Sequence, residues 1–299
     1  MLKKTNAKII YDAKNDIYDF KLDAPLSVCW QITRKCNLNC LYCLSASNSD
    51  AEYGMSTEQA IKLINHFGEI GINRLDFTGG EPLLRHDLDC LIECAKQNGI
   101  STIVTTNTLL LNEKNIETLK KADLIQISID GPEFIHNIQR NANVYQKTMD
   151  NIEVLKKSGC KIRLNSFIFN DNKQYVNYLM DLSKRLGLFS HLFIIFTPQG
   201  RGKEHLEQII PLEEVEKIKN EILNRKNKEK RNIRLYDYSE YMHSCVLISP
   251  SGDVISQGFY DNESVKVGNA LEEPLEKLFQ DKNFSHLVHV MHYLQRRNK

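Results

Sequence analysis

Cys36-Asn37-Leu38-Asn39-Cys40-Leu41-Tyr42-Cys43 is the stretch on which the reading of this chain turns. Its three thiols are spaced by three residues and then by two, directly after an apolar run, 28–32, that reads as a strand ending at Thr33-Arg34-Lys35. Thiols so close in sequence converge readily on one soft metal centre. Tetrahedral zinc usually takes four ligands, and an iron–sulfur cluster is normally held by four cysteines. With no fourth ligand evident beside them, the three thiols point to a cluster with one open iron, a place for chemistry. A structural zinc site is the bland alternative.

The whole chain sets bounds on what that site serves. At 299 residues it is long enough for one large α/β domain, or one domain with a small appendage. Lys and Arg number 39 against 38 Asp and Glu, so net charge gives no argument for nucleic-acid or membrane-surface binding. Hydrophobic residues at 41% and charged residues at 26% are ordinary for a folded globular chain. The N-terminus lacks the apolar core of a secretory signal, and no apolar run approaches the ~20 residues of a membrane helix. Eight cysteines without an export signal imply reduced thiols and a cytoplasmic location.

Short β-rich runs alternate with longer segments of helical spacing. Strands are expected at 28–33, 74–78, 102–105, 124–129, 161–169 and 192–196, and helices at 57–69, 87–97, 113–120, 145–157 and 173–186. Six strands alternating with helices predict an α/β fold, a partial (β/α)6 TIM-type barrel, followed by a small α+β C-terminal extension. The expected organisation is a leader or edge segment at 1–25, a core barrel at 26–203, and a linker helix and extension at 204–299. In such barrels functional residues sit at the C-terminal ends of strands. Those ends carry the three cysteines, then Gly79-Gly80-Glu81-Pro82, Thr106-Asn107, Ser128-Ile129-Asp130-Gly131-Pro132, Asn165, and Pro198-Gln199-Gly200-Arg201. One face of the fold therefore reads as a single site.

The CxxxCxxC spacing with Tyr42 before the last cysteine, followed by a strand ending in GGEP, resembles the radical SAM superfamily. The resemblance implies that Cys36, Cys40 and Cys43 hold one 4Fe–4S cluster whose open iron chelates S-adenosylmethionine (SAM). Reductive cleavage of SAM then gives a 5′-deoxyadenosyl radical that takes hydrogen from a substrate. It assigns Tyr42, Gly79, Gly80, Glu81 and Pro82 to the cofactor site, GGEP serving as an amino-acid cradle. Asn107 and Ser128 become partners for polar parts of SAM, and Arg140 a partner for its carboxylate. Arg140 in a polar loop also reads as a surface residue. Asn165 is a ribose contact or a buried capping amide. Where the family usually has a glycine after Thr-Asn, this chain has Thr108.

Other cysteines and histidines read more plainly. Cys90 and Cys94 share a helix face as small buried hydrophobes, as do Cys29 and Cys160 in their own places. His286, His289 and His292 read as one polar helix face.

From Cys245 onward the hairpin with Pro250-Ser251-Gly252-Asp253 and the later Gly268-Asn269 before an acidic helix resemble a SPASM or twitch extension. No cysteine follows Cys245, so this resemblance implies a degenerate extension that lacks auxiliary clusters. The family further implies an external electron donor of the flavodoxin or ferredoxin type and a peptide or small-molecule substrate, with peptide maturation favoured. The short stretch before Cys36 leaves peptide recognition to a separate protein or to direct capture. The alternative is a viperin-like nucleoside triphosphate dehydratase, also built from one barrel and a cluster-free tail. A non-catalytic electron-transfer module explains the cysteines but not the other strand ends.

Overall fold

The computed structural model describes residues 7–12, 17–22, 24–236, 245–256 and 264–280. Two strands, β1 (Ala7–Asp12) and β2 (Ile17–Leu22), pair antiparallel as a small sheet of their own. The main alternation starts at β3 (Ser27–Thr33), α1 (Thr57–Glu69), β4 (Arg74–Gly79) and α2 (Leu88–Gln97). It continues with β5 (Ser101–Thr106), α3 (Glu113–Lys120), β6 (Leu124–Ser128), α4 (Glu133–Arg140) and α5 (Tyr145–Lys157). Then follow β7 (Ile162–Ile168), α6 (Val176–Arg185), β8 (Ser190–Ile195), α7 (Leu212–Glu229) and β9 (Ile233–Tyr236). β10 (Cys245–Ile248), β11 (Asp253–Ser256), β12 (Val265–Asn269) and α8 (Leu275–Phe279) complete the described elements.

The main sheet has ten strands in the order β12-β11-β10-β3-β4-β5-β6-β7-β8-β9. β3 to β9 run parallel in sequence order, each joined to the next by a crossover that carries at least one helix. The six parallel strands expected from the sequence are all present, and β9 extends them. The tail hairpin β10–β11 is antiparallel within itself, but β10 lies parallel to β3, so the extension lengthens the barrel sheet. Among the described residues the sheet stays open. The fold is a partial TIM-type barrel.

One side of this sheet is apolar and meets the helices. Val28, Trp30 and Ile32 alternate along β3, fully buried, and Trp30 packs edge-on to Phe67 of α1 at 6.3 Å between ring centroids. Burial of each large side chain contributes ~1.5–3 kcal/mol, so this layer carries much of the stability. Helix α1 starts where it does because Ser56 and Gln59 form a reciprocal capping box.

Several expectations are corrected. Helix α4 was not expected, because Asp130-Gly131-Pro132 reads as a turn and hides the start of the helix that follows. Arg140 is thus the last residue of a helix and is buried, neither in a loop nor on the surface. Cys94 is buried, but Cys90 is exposed, since α2 turns Leu88, Leu91, Ile92 and Ala95 inward and Cys90 falls beside that stripe. Cys29 and Cys160 are only partly buried. The helix expected at 173–186 opens with a short 3-10 turn before α6. The polar helix face expected of His286, His289 and His292 lies outside the described residues. No described helix is long and apolar enough to cross a membrane.

Thr108, in the loop after β5, has φ of 65°, the left-handed conformation that a β-branched residue rarely adopts. Its hydroxyl is buried and has no hydrogen-bond partner among the described residues. A glycine relieves both costs, against a smaller loss of chain entropy and of two buried side-chain carbons. Thr108→Gly is expected to stabilise the protein by about 1 kcal/mol, read as a thermal midpoint about 2–3 °C higher; a lower midpoint contradicts this account.

Candidate functional site: the cysteine loop and the strand ends

The cysteine loop leaves β3 at Thr33 and is held by its neighbours at many points. Cys36 N–H donates to the Asn48 carbonyl (2.9 Å), and Leu41 N–H to the Gln139 carbonyl at the end of α4 (3.0 Å). Arg201 closes the other side: its backbone N–H reaches the Cys43 carbonyl at 3.0 Å, and its Nε reaches the Cys40 carbonyl at 2.8 Å. The preceding Gly200, at φ 57°, lies so near this loop that a Cβ would stand 2.3 Å from the Cys43 oxygen.

Each of the three sulfurs accepts an N–H. Leu38 N–H points at Cys36 Sγ and Ser47 N–H at Cys43 Sγ, both at 3.4 Å, and Arg140 Nη1 at Cys40 Sγ at 3.8 Å. Burial pushes the Cys36 thiol up to about 12 and the Cys40 thiol upward as well, while Arg140 pulls Cys40 back down. Ligation would release those protons, and the N–H donors would then favour the anionic sulfurs. This donor set fits a thiolate-held iron–sulfur cluster. Among the described residues no three ligating groups converge on a point as they would around a single ion; a four-iron cluster is wider than one ion and holds its thiolates further apart.

Behind the loop sits a buried polar knot. Asp130, fully buried after β6, accepts from Tyr42 Oη (2.7 Å), Arg140 Nη2 (2.9 Å) and Phe167 N–H (3.1 Å). The Arg140 guanidinium also lies over the Tyr42 ring at 5.2 Å, and Phe167 and Phe169 pack on that ring at 5.1 and 4.7 Å. Arg140 therefore bridges a barrel carboxylate and a cysteine sulfur. Nearby His136 is held neutral, its pKa lowered to about 3 by burial and then by Arg140. The sequence signal for Asp130 was present, as an Asp-Gly-Pro at a strand end, but its role depends on partners 88 and 10 residues away.

The second strand end explains its two glycines. Gly79 (φ 130°) and Gly80 pass so close to the cysteine loop that Cβ atoms would stand 2.3 Å from the Thr33 oxygen and 2.0 Å from the Lys35 oxygen. Gly80 N–H and Glu81 N–H then donate to those same carbonyls, each at 2.8 Å. Glu81 is fully buried, with Leu83 N–H at 3.0 Å and Thr106 Oγ1 and Asn107 N–H at 2.8 Å on its carboxylate. Burial pushes it up to about 7 against those donors. Pro82 opens the short 3-10 turn that Glu81 caps.

Asn107 reaches across to the cysteine loop, donating to Asn37 Oδ1 at 2.8 Å. Ser128 and Asn165 are neighbours in register on β6 and β7, further round the sheet from the cysteines in strand order. Asn165 is buried, and its Oδ1 has no partner among the described residues. Hydrogen bonds and ring contacts thus join Tyr42, Gly80, Glu81, Asn107 and Arg140 to the cysteine loop or its supports, whereas Ser128 and Asn165 are joined to it only through the sheet.

Comparison with known proteins gives this geometry a context. The sequence model described as the Radical SAM superfamily matches residues 30–183. An AdoMet-dependent heme synthase of Oleidesulfovibrio alaskensis is 32% identical over 198 residues, 64% of this chain and 51% of that protein. A GTP 3′,8-cyclase of Clostridium botulinum is 30% identical over 230 residues, 73% of this chain and 72% of that one. The chain spans about half the length of the heme synthases it matches. In fold it is similar to Streptococcus suis SuiB bound to precursor peptide SuiA, at a TM-score of 0.73 and 15% identity, covering 89% of this chain and 67% of that one. It is similar also to anSMEcpe with bound AdoMet and the Cp18Cys peptide, at a TM-score of 0.70 and 19% identity, covering 89% and 83%.

The knot and the buried glutamate make separate predictions. Arg140→Met strands the Asp130 charge and is expected to cost about 3–5 kcal/mol, whereas Tyr42→Phe removes one charge-assisted hydrogen bond and costs about 1.5–3 kcal/mol; urea unfolding that ranks them the other way overturns this assignment. Glu81 has a folded pKa of about 7, above its ordinary 4.5, so the native state binds its proton more tightly. Its contribution is fully present below about 4.5 and is lost as pH rises to about 7, a fall of roughly 3 kcal/mol. In the cluster-free protein, Glu81→Gln should flatten that segment of the stability–pH curve, and parallel curves for both proteins would refute the claim.

Proposed function

Because this chain belongs to the radical SAM superfamily, we propose that Cys36, Cys40 and Cys43 hold its 4Fe–4S cluster and that it modifies a peptide or a small metabolite. Members of the superfamily are enzymes, and their cofactors are a 4Fe–4S cluster and SAM. When bound and reduced, that pair supplies a 5′-deoxyadenosyl radical able to take hydrogen from a C–H bond. The protein's part is to hold the cluster, orient SAM and substrate, and keep water away.

The observation that carries this reading is one loop with three N–H-supported sulfurs, hydrogen-bonded to the ends of β4 and β5. Arg140 tempers the charge at Cys40, and the Asp130 knot fixes Arg140. The glycines at 79 and 80 keep the strand end against the loop, beside the place assigned to the methionyl group of SAM. Glu81 orders that end from inside. Asn107, Ser128 and the Asn165 oxygen, which has no partner among the described residues, offer polar contacts to the rest of SAM. We assign the core barrel to 26–203 and the extension to 204–299, without auxiliary clusters.

A peptide is the favoured substrate, supported by the fold shared with SuiB and anSMEcpe, both known with peptides bound. In this reading a flavodoxin- or ferredoxin-type protein supplies the electron, a separate protein or the barrel itself captures the peptide, and the enzyme works in the cytoplasm. A nucleoside triphosphate, as in the viperin-like alternative, is the second reading; the cyclase named for GTP, matched over most of both chains, favours it.

Anaerobically reconstituted, reduced protein is expected to bind about four irons per chain and to convert SAM to 5′-deoxyadenosine, measured by chromatography. Replacing all three cysteines with alanine should abolish both, and cleavage that survives the triple variant would sink the assignment. Faster release on adding CTP or GTP, and none on adding candidate peptides, would replace the peptide reading with the nucleotide one.

A further inference from the structure

The loop that carries the cysteines continues through Leu44-Ser45-Ala46-Ser47, a stretch that the proposed function leaves unused. Ala46 has φ of 48°, the left-handed conformation that an alanine adopts at a cost of roughly 1–2 kcal/mol. Such strain persists only where the surroundings impose it. Here it closes a turn on the last cysteine: Ala46 N–H donates to the Cys43 carbonyl at 3.0 Å, and Ser47 N–H comes within 3.4 Å of Cys43 Sγ. The Ser45 and Ser47 hydroxyls meet at 2.7 Å, and Ser45 Oγ stands 3.5 Å from Cys43 Sγ.

Counting protons gives this chain of groups a direction. Ser47 is fully buried, and Ser45 Oγ is the one hydrogen-bond partner of its hydroxyl among the described residues. If Ser45 gave its proton to Ser47, the Ser47 proton would have no acceptor, a loss of about 1–3 kcal/mol for a buried donor. Ser47 therefore donates to Ser45, and the Ser45 proton is left to be placed elsewhere. Two acceptors compete for it. The Gly79 carbonyl lies at 3.4 Å, well beyond the ~2.5–3.0 Å of an ordinary O–H···O bond. Cys43 Sγ is a larger atom, so that 3.5 Å is close for it, and as a thiolate it carries a charge that strengthens the bond. The other two sulfurs meet donors of different kinds, the Leu38 N–H at Cys36 and the Arg140 guanidinium at Cys40. Among the described residues a hydroxyl reaches only Cys43.

We infer that Ser47 and Ser45 form a hydroxyl relay, Ser47 Oγ–H to Ser45 Oγ and Ser45 Oγ–H to Cys43 Sγ, that raises the reduction potential of the cluster held by the three cysteines. This rests on the proposed function for the cluster, and it adds two positioning residues that act through the Cys43 sulfur. Cluster potentials depend on the hydrogen bonds made to the sulfurs. A donor aimed at a thiolate favours the more negative, reduced state and so moves the potential up. Ser47 polarises the Ser45 hydroxyl and strengthens its bond by roughly 10–30%, so the two serines contribute unequally.

Potentiometric titration of the anaerobically reconstituted full chain, followed by the EPR signal of the reduced cluster, tests this. Ser45→Ala is expected to lower the ratio of reduced to oxidised cluster at a fixed applied potential about tenfold, a midpoint about 59 mV lower for a one-electron couple. Ser45→Thr keeps the hydroxyl and should stay within twofold of wild type. Ser45→Val has the shape of threonine without the hydroxyl and should fall with Ser45→Ala. Ser47→Ala should shift the ratio in the same direction by a smaller factor, and Ser49→Ala, which removes an exposed hydroxyl bound to Asp50 in the same loop, should leave it unchanged. Iron content and circular dichroism check each variant; should Ser45→Ala fail to load, Ser47→Ala and the Thr and Val pair decide. Midpoints that ignore the loss of the Ser45 hydroxyl, or a Ser45→Thr midpoint as low as that of Ser45→Val, overturn the inference. Wild type that takes up no iron defeats the proposed function and this inference with it, whereas iron-loaded protein indifferent to Ser45 defeats this inference alone.

Discussion

The buried carboxylate of Asp130 is the constraint on which the site rests. It lies at the end of β6 with no exposed surface, and it is satisfied only because Tyr42, Arg140 and the Phe167 backbone all come to it. A charge so placed is costly unless paired and fully hydrogen-bonded. The same pairing therefore fixes the cysteine loop through Tyr42, the end of α4 through Arg140, and β7 through Phe167. Arg140 then carries the constraint to the sulfur of Cys40.

The opposite flank is fixed by close approach of backbone. Gly79 and Gly80 let β4 end against Thr33 and Lys35 with no room for a side chain, and Glu81 ties the ends of β4 and β5 together from inside. Charge on one side and bare backbone on the other leave the loop little freedom. A site meant to hold a metal cluster benefits from ligands placed before the metal arrives, since ordering costs are then met during folding.

The sheet has two unlike faces. Parallel strands covered on both sides normally read as continuous apolar runs, but here the inner positions of β4, β6 and β7 carry Arg74, Asp76, Gln126 and Asn165 between the apolar outer ones. That polarity fits an interior that meets a ligand. The strands of the tail join the same sheet beside β3, so the chain beyond residue 203 adds to the wall of that interior.

Much of this was legible in the sequence. The strands and most helices follow from the alternation of hydrophobic periods, and the cysteine spacing with GGEP marked the loop and its neighbour, because those signals lie within a few residues of one another. Asp130-Gly131-Pro132 hides helix α4 in the sequence, and with it the helical, buried place of Arg140. Cys90 fell just off the apolar stripe that its neighbour Cys94 occupies. The sequence by itself determined the alternating α/β plan, the three-thiol centre and the strand ends that surround it, since each is a local pattern of residue types. Only the tertiary structure decided that Asp130 binds Tyr42 and Arg140, and that β10 joins β3. Those depend on register and on contacts between residues far apart in the chain, and no short-range pattern fixes how distant strands align.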